Sequence, residues 1–528
     1  MSVTEQSRSE QDRPERDGAH TVGRWVRDRA RTDAATTAVD DRGIALCYGE
    51  LDERAQRLAL LLHANGYRVG DRLATLTGNS ADHVVVFMAC ARAGLILAPL
   101  SWRLSPRELS AQILSTDPRL LLVEEEFSTL ARASLSRLVR PVPVTSLGVS
   151  GIERQVPQVT ATGTSLADVA LPAVADDDPL LLLFTSGTAS QPRGALLTHA
   201  NCFWTSLSMS RAQRLTADDV VLSVLPQFHV GGWTIQALLA WWTGATVVLE
   251  RVFDAGRVLR LIEEKRVTTM MGVPANYLLL AQHPDFATSD LSSLRYALVG
   301  GAPMPEPLLR TWLHREVELV QGYGLTEASP NVLCLPLADA RRKLGYAGKP
   351  YPHVDVELAD PATGAPLDGV ATGELIVRGP NVFAGYWRDP AATALALRDG
   401  WLHTGDLAHR DGEGFFKIID RIDDVYVSGG ENVSPAEIEA VLFEHPAVAD
   451  VAVTGQVDER WGEVGIAYVV IRAARHTDAD ELLAFCRKRL AGFKTPRAVV
   501  FVSELPRSSV GKIVRRSLPV LDPTGGVA

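Results

Sequence analysis

Residues 185–194 read Thr-Ser-Gly-Thr-Ala-Ser-Gln-Pro-Arg-Gly and follow the apolar run 180–184. Hydroxyls at Thr185, Ser186 and Thr188, bare backbone at Gly187 and Gly194, and the guanidinium of Arg193 suit a loop that wraps a polyphosphate. Such a loop needs short donors, exposed N–H groups and a local positive charge. It is not a Walker loop: Gly511-Lys512 is followed by Ile513, and Pro506 stands where that motif has its first glycine. Taken alone, the stretch also reads as a Ser/Thr/Gly surface turn.

Other stretches carry chemistry of a compatible kind. Gly300, Gly301 and Ala302 follow the apolar Val299 and let a backbone approach a flat ligand closely. Gly322-Tyr323-Gly324-Leu325-Thr326-Glu327 sets a ring, a hydroxyl and a carboxylate close together, and Asp406 stands on the tight turn Thr404-Gly405-Asp406. His229 and Trp233 lie in 227–233, and Lys512 lies near the C-terminus. Each has a plainer alternative. Asp406 reads equally as a turn acid, Glu327 as an acid favoured at a helix start, and Tyr323 as a core aromatic. Lys512 reads as a surface lysine and His229 as a satisfied buried histidine.

To act together, these residues must be gathered by the fold. Residues 48–62 carry apolar side chains at helix spacing, 72–76 read as a strand, and 84–91 read as an apolar helix ending near Gly94. Strand alternating with helix predicts parallel α/β layers. Strands over 219–226, up to Val299 and from Leu319 would bring three Gly-rich polar ends to one crevice, because ligands gather at the C-terminal ends of strands in open α/β sheets. Residues 350–419 turn Gly- and Pro-rich around short strands and read as a small β-rich unit. Residues 415–439 join a strand to the Gly429-Gly430 loop and a helix capped by Ser434 with Pro435 at its first position. The remainder repeats a strand and helix pattern of its own, a small α+β C-terminal domain.

Length and composition set bounds. At 528 residues the chain exceeds a single core. The net charge of −10 disfavours nucleic acid or an anionic membrane held by bulk electrostatics, so any anion must be bound locally. Five cysteines lie far apart with no Cys-x-x-Cys pair, which points away from zinc and disulfides and towards a cytoplasmic setting. Residues 1–20 are polar and mixed in charge and read as a disordered tail. Residues 230–249 carry no charge over a span-length window, but glycines and polar residues divide them into a buried helix and a strand.

In order and spacing, 185–194, 321–327, 401–406, 420–439 and 506–513 resemble the motifs of the adenylate-forming superfamily of acyl-CoA synthetases, luciferases and peptide-synthetase adenylation domains. The resemblance runs from about residue 21 to 518. The phrases 101–109 and 427–432 are most similar to those of medium-chain or aryl acyl-CoA ligases. It implies that a carboxylate attacks the α-phosphorus of MgATP to give acyl-AMP and pyrophosphate, after which the thiol of CoA takes the acyl group. It further implies that Thr185, Ser186, Gly187, Thr188 and Arg193 hold the outer phosphates, and that Glu327 holds Mg²⁺. Thr326 would contact the α-phosphate. Tyr323 would face adenine beside Gly300, Gly301 and Ala302, with Gly322 and Gly324 giving close backbone approach. Asp406 and Arg421 would take the ribose, and Lys512 would reach the α-phosphate and acyl oxygens. His229, Trp233, Val299, Gly300 and Leu325 would wall the acyl pocket.

The resemblance divides the chain into 21–421, holding the ATP and acyl sites, and a mobile domain 422–528 that rotates about a hinge at Asp423. Gly429, Gly430, Trp461 and Lys494 would contact CoA. Where relatives read Thr-Thr-Gly-x-Pro-Lys in the phosphate loop, this chain has Ala189, Ser190 and Arg193. Arginine keeps the charge and offers a rigid fork for phosphate. That departure keeps open a carrier-protein thiol, an amine or nitrite as acceptor in place of CoA. The other partners implied are a small carboxylic acid and ATP, with no stable membrane insertion and a monomer or homodimer.

Overall fold

In the computed structural model the described residues are 16–147, 165–185, 192–458, 460–473, 475–507 and 512–520, and every structural statement below concerns them. Of the expected disordered tail, 1–15 lie outside this set. Residues 16–20 are fastened: Gly18 donates its N–H to the Val174 carbonyl at 2.8 Å, and the His20 N–H reaches Asp176 Oδ1 at 2.8 Å.

Apolar positions at helix spacing bury one face of the helix Tyr48–Ala64, whose start is closed by a reciprocal pair between Cys47 and Glu50. The helix Ala81–Ala93 is apolar nearly all round and almost wholly buried. It ends where Gly94 takes φ +68, a left-handed conformation that costs glycine little. Such elements cover a seven-stranded and a nine-stranded sheet. In the first, Ile96–Leu100, Arg72–Leu76, Leu120–Glu124 and Val144–Leu147 are parallel. The sheet is nonetheless mixed, because Pro179–Thr185 and Arg193–Thr198 pair antiparallel. The segment expected to hold phosphates is therefore flanked by two antiparallel strands, not by strands of a purely parallel layer.

The nine-stranded sheet includes Leu319–Gly324, Tyr296–Val299, Thr269–Gly272 and Val220–Ser223 as parallel neighbours. The uncharged stretch 230–249 folds as a short turn, the buried helix Ala237–Thr243 and the strand Thr246–Leu249. Among the described residues no helix is long and apolar enough to cross a membrane. A six-stranded antiparallel sheet forms the β-rich unit, with Trp401–Arg410 between Ala371–Arg378 and Phe416–Arg421. The smaller C-terminal domain holds a five-stranded sheet and the helices Pro435–Phe443 and Ala479–Arg487 around its own core of Ile438, Leu442, Val453, Val469 and Leu482.

The cap of Pro435–Phe443 differs from the expected one. Ser434 makes no side-chain bond to the helix amides; the Asp420 carboxylate takes the Ala436 N–H at 3.0 Å and the Ser434 hydroxyl at 2.7 Å. A carboxylate is a stronger acceptor than a hydroxyl at a positive helix end, and Asp420 arrives from the end of Phe416–Arg421, a strand of the β-rich sheet.

Candidate active site

The parallel register of the nine-stranded sheet, with Val299 opposite Gln321 and Gly272 opposite Val299, makes 300–302, 322–327 and 226–229 leave one edge. Backbone crowding there explains two glycines. A Cβ at Gly324 would stand 1.6 Å from the Pro330 carbonyl oxygen, and one at Gly300 would stand 2.9 Å from that of Gly322. Gly301, at φ +82, and Ala302 are exposed at this edge.

The β-rich sheet supplies the acid. Asp406 lies opposite Arg421 across two strands and is 5% exposed. Its Oδ1 pairs with Arg421 Nε at 2.7 Å, and its Oδ2 accepts the Tyr323 hydroxyl at 2.5 Å. The turn beneath is held by Glu374, which accepts the Gly405 N–H at 3.1 Å and contacts His403 Nδ1 at 2.9 Å. Burial pushes the Asp406 carboxyl above its ordinary range although Arg421 opposes the shift. Burial, with Asp406 adding, raises Tyr323 well above the usual phenol value, so its hydroxyl stays a donor. Burial opposes the Arg421 charge, but Asp406, Tyr323 and Glu327 outweigh it and raise its pKa.

A second network surrounds Glu327. The Tyr386 hydroxyl donates to its Oε1 at 2.8 Å. The Arg193 guanidinium lies 5.6 Å from the centre of the Tyr386 ring, with Nε 3.7 Å from Asp389. The fold brings these together by pairing Gly385–Tyr386 with Arg193–Thr198. Thr185 faces Arg193 across the hairpin base. Ser186, Gly187 and Thr188 lie outside the described residues, as do Ala189 and Ser190.

Lys512 comes to this edge from the C-terminal domain. Its Cε lies 3.7 Å from where a Cβ of Gly301 would stand. Burial and then Arg421 lower the Lys512 ammonium, while Asp406 and Glu327 raise it. The residue itself remains exposed, so the surrounding protein lowers its pKa without closing it off from water. Burial, with Lys512 adding, pushes the His229 imidazole down to about 4, so it is neutral at physiological pH. Asp406, Arg421, Tyr323, Glu327, Lys512 and His229 thus converge electrostatically, and Thr326 is buried between Leu325 and Glu327.

Two expected pocket walls are elsewhere. Trp233 is wholly buried, stacked on Phe87 at 4.7 Å with its indole N–H on the Gln227 carbonyl at 2.5 Å. Val299 is 1% exposed within the core cluster that includes Met270 and Leu308. Hydropathy could not separate a pocket wall from core here, because both demand large apolar side chains. Gly300 and the half-buried Leu325 stay at the edge.

The residues expected at CoA form their own group on the C-terminal domain. Gly429 and Gly430 make the two-residue turn between Tyr426–Ser428 and Glu431–Val433, with φ +61 and +88. Such a tight hairpin turn demands glycine-like residues whether or not a ligand passes. Gly429 donates its N–H to the Trp461 carbonyl at 2.8 Å, and a Cβ at Gly430 would meet nothing within 4 Å. Lys494 is ion-paired with Glu437 at 2.8 Å. Sequence reasoning missed Tyr386, Glu374 and the capping role of Asp420. Only Tyr386 had a signal, being a tyrosine between glycine and tryptophan in a segment otherwise read as turn.

The family model for AMP-binding enzymes matches residues 26–387, and that for their C-terminal domain matches residues 437–512. The chain belongs to the AMP-binding enzyme family. As such it is a member of the adenylate-forming superfamily. This AMP-binding enzyme is 42% identical over 495 residues to a feruloyl-CoA synthase of an Amycolatopsis species, covering 94% of this chain and 97% of the relative. It is 38% identical over 500 residues to the indoleacetate–CoA ligase of Aromatoleum aromaticum, covering 93% and 96%. ATP-bound MatB from Rhodopseudomonas palustris has the same fold, with TM-score 0.86 and 32% identity over 94% of this chain and 97% of that one.

Proposed function

We propose that the protein joins a flat, aryl-bearing carboxylic acid to CoA through an acyl-AMP intermediate. The observation that carries this reading is the convergence of Lys512 on Asp406, Glu327, Arg421 and His229. In the first step a substrate carboxylate oxygen bonds to the α-phosphorus of ATP, and the bond to the bridging oxygen breaks to release pyrophosphate. Lys512 faces the place where negative charge builds, and a fixed cation there lowers the barrier without reorganising. Asp406 accepts from the ribose hydroxyls, held in place by Tyr323 and Arg421. Arg193 with Thr185, Ser186, Gly187 and Thr188 holds the outer phosphates. In the second step the CoA sulfur bonds to the acyl carbon and AMP leaves with the electron pair of the broken C–O bond.

No cluster of three or more His, Cys, Asp or Glu among the described residues could hold a metal alone. A magnesium ion at Glu327 would therefore be carried largely by phosphate oxygens, which suits a hard ion that keeps few protein ligands. When bound, it would neutralise phosphate charge, while Tyr386 orients the Glu327 carboxylate.

The acid preference rests on the neutral His229 and on the feruloyl and indoleacetate ligases among the relatives. We place the domain boundary at 421/422 with the hinge at Asp423. Lys512 and the Gly429-Gly430 turn lie on one small domain, and Lys512 stands at the site, so that domain must turn before the glycine turn can guide a thiol there. The five cysteines are free thiols, which fits a cytoplasmic setting. The test is mass spectrometry of the protein with MgATP, a panel of cinnamate-like, arylacetic and aliphatic acids, and CoA. A new aryl-CoA with AMP is expected. AMP release without any acyl-CoA would overturn the choice of acceptor, and no AMP at all would overturn adenylation.

A further inference from the structure

The cap of the helix Pro435–Phe443 crosses the position of the hinge. Asp420 belongs to Phe416–Arg421, a strand of the β-rich sheet, where it lies opposite Leu407 and is 7% exposed. Ser434 and Ala436 belong to the C-terminal domain, which also carries Lys512. Between them the exposed Asp423 sits in the short turn Ile422–Asp424. One buried carboxylate therefore takes the Ala436 N–H at 3.0 Å and the Ser434 hydroxyl at 2.7 Å across the joint, while its other oxygen accepts the Arg421 N–H at 2.9 Å. Other charges tie the small domain together beyond the joint. Arg515, three residues beyond Lys512, pairs with Asp424 at 3.2 Å and with Glu439 of the capped helix at 2.8 Å.

We infer that Asp420 is a positioning residue that latches the small domain in the orientation presenting Lys512 to the nucleotide. A rotation about Asp423 carries Ser434 and Ala436 away from the strand end, so both bonds must break and the helix start loses its acceptor. The latch therefore favours the adenylating arrangement and opposes the arrangement that forms the thioester. Arg515 moves with Lys512 and Glu439, so its bonds survive the rotation and hold the lysine segment to the small domain. The inference rests on the two-step reading above.

The test uses Asp420→Ala and the milder Ser434→Ala in the full chain, with melting temperatures measured alongside. Pyrophosphate exchange reads the first half-reaction, and thioester formation from supplied acyl-AMP and CoA reads the second. Asp420→Ala is expected to slow exchange about tenfold and Ser434→Ala about threefold, with thioester formation unchanged or faster. A merely structural role would lower both half-reactions together in step with the melting temperature, and that result would overturn the latch. Spin labels at Val139→Cys and Val457→Cys, both highly exposed sites, on a Cys47→Ser background read domain orientation without any chemistry. Asp420→Ala should broaden or shift the interdomain distance; an unchanged distance overturns the latch even if both half-reactions run. A shifted distance in a protein that forms no acyl-AMP would support the latch and overturn the functional reading instead.

Discussion

Tyr386→Phe removes a single oxygen from the network around Glu327 and leaves the ring under Arg193, so it separates the hydrogen bond from the cation–π contact. A hydrogen bond to a charged group contributes about 1.5–3 kcal/mol. Glu327 is only half-buried, which favours the lower end, about 1.5 kcal/mol or roughly tenfold. If Tyr386 orients Glu327 towards a phosphate-borne ion, the loss appears as an approximately tenfold fall in kcat/KM for MgATP in pyrophosphate exchange, with KM for the acid unchanged. Tyr386→Ala also removes the ring from Arg193, worth about 0.5–1 kcal/mol, and should cost roughly a further twofold to fivefold. Burial and then Glu327 raise the Tyr386 pKa, so the hydroxyl remains a donor and the ratio of mutant to wild type should be flat from neutral to mildly alkaline pH. A Tyr386→Phe enzyme within twofold of wild type, or one impaired only in its acid KM, would refute this reasoning.

Lys512→Ala is expected to lower adenylation by about 10²–10³-fold while leaving thioester formation from supplied acyl-AMP within about threefold; Asp423→Pro is expected to do the reverse. Equal loss of both half-reactions in both variants would end that division of labour. Gly324→Ala forces a Cβ against the Pro330 carbonyl, and thermal melting should find it at least about 5 °C less stable or insoluble. Acid should weaken the fold through two buried histidines: burial holds His83 and His199 at about 3, while unfolded histidine titrates near 6.5. The unfolded chain binds more protons throughout that interval, so stability is lost as pH falls below about 6.5, by up to about 2 kcal/mol per histidine at pH 5. Denaturant melts at pH 7 and pH 5 on His83→Gln and wild type would show a smaller pH effect in the variant; an identical one counts against His83.

Much of this architecture was legible because periodicity and strand-end chemistry are local. The helix Tyr48–Ala64, the strand Arg72–Leu76 and the Gly94 stop all follow from residues a few positions apart. The failures are non-local. Nothing in 180–198 says that the two strands pair antiparallel, since that depends on which strand the sheet offers as neighbour. Trp233 and Val299 are pocket walls in the resemblance, yet both side chains are buried in the core, Trp233 against Phe87 and Val299 in the cluster with Met270. Ser434 has the right type and place for a cap, and only the arrival of Asp420 from a different sheet displaced it. Tyr386 and Glu327 lie far apart in the sequence, and their contact exists only because Gly385–Tyr386 adds to the edge of the phosphate-loop hairpin.

That edge pairing sets where this chain tolerates recombination. The strand leaving the phosphate loop, Arg193–Thr198, and its neighbour Gly385–Tyr386 enclose most of the nine-stranded sheet between them in sequence. A crossover between two parents anywhere within 199–384 would join a loop strand of one to an edge strand and Tyr386 of the other. One within 407–420 would separate Asp406 from Arg421. A junction after residue 421 leaves these pairs intact and exchanges the small domain whole, at the cost of matching one carboxylate, Asp420, to the helix start it must cap. Most of the nucleotide site is thus inherited as one block, and the neighbouring block can diversify so long as it keeps Lys512 and the helix start that Asp420 caps.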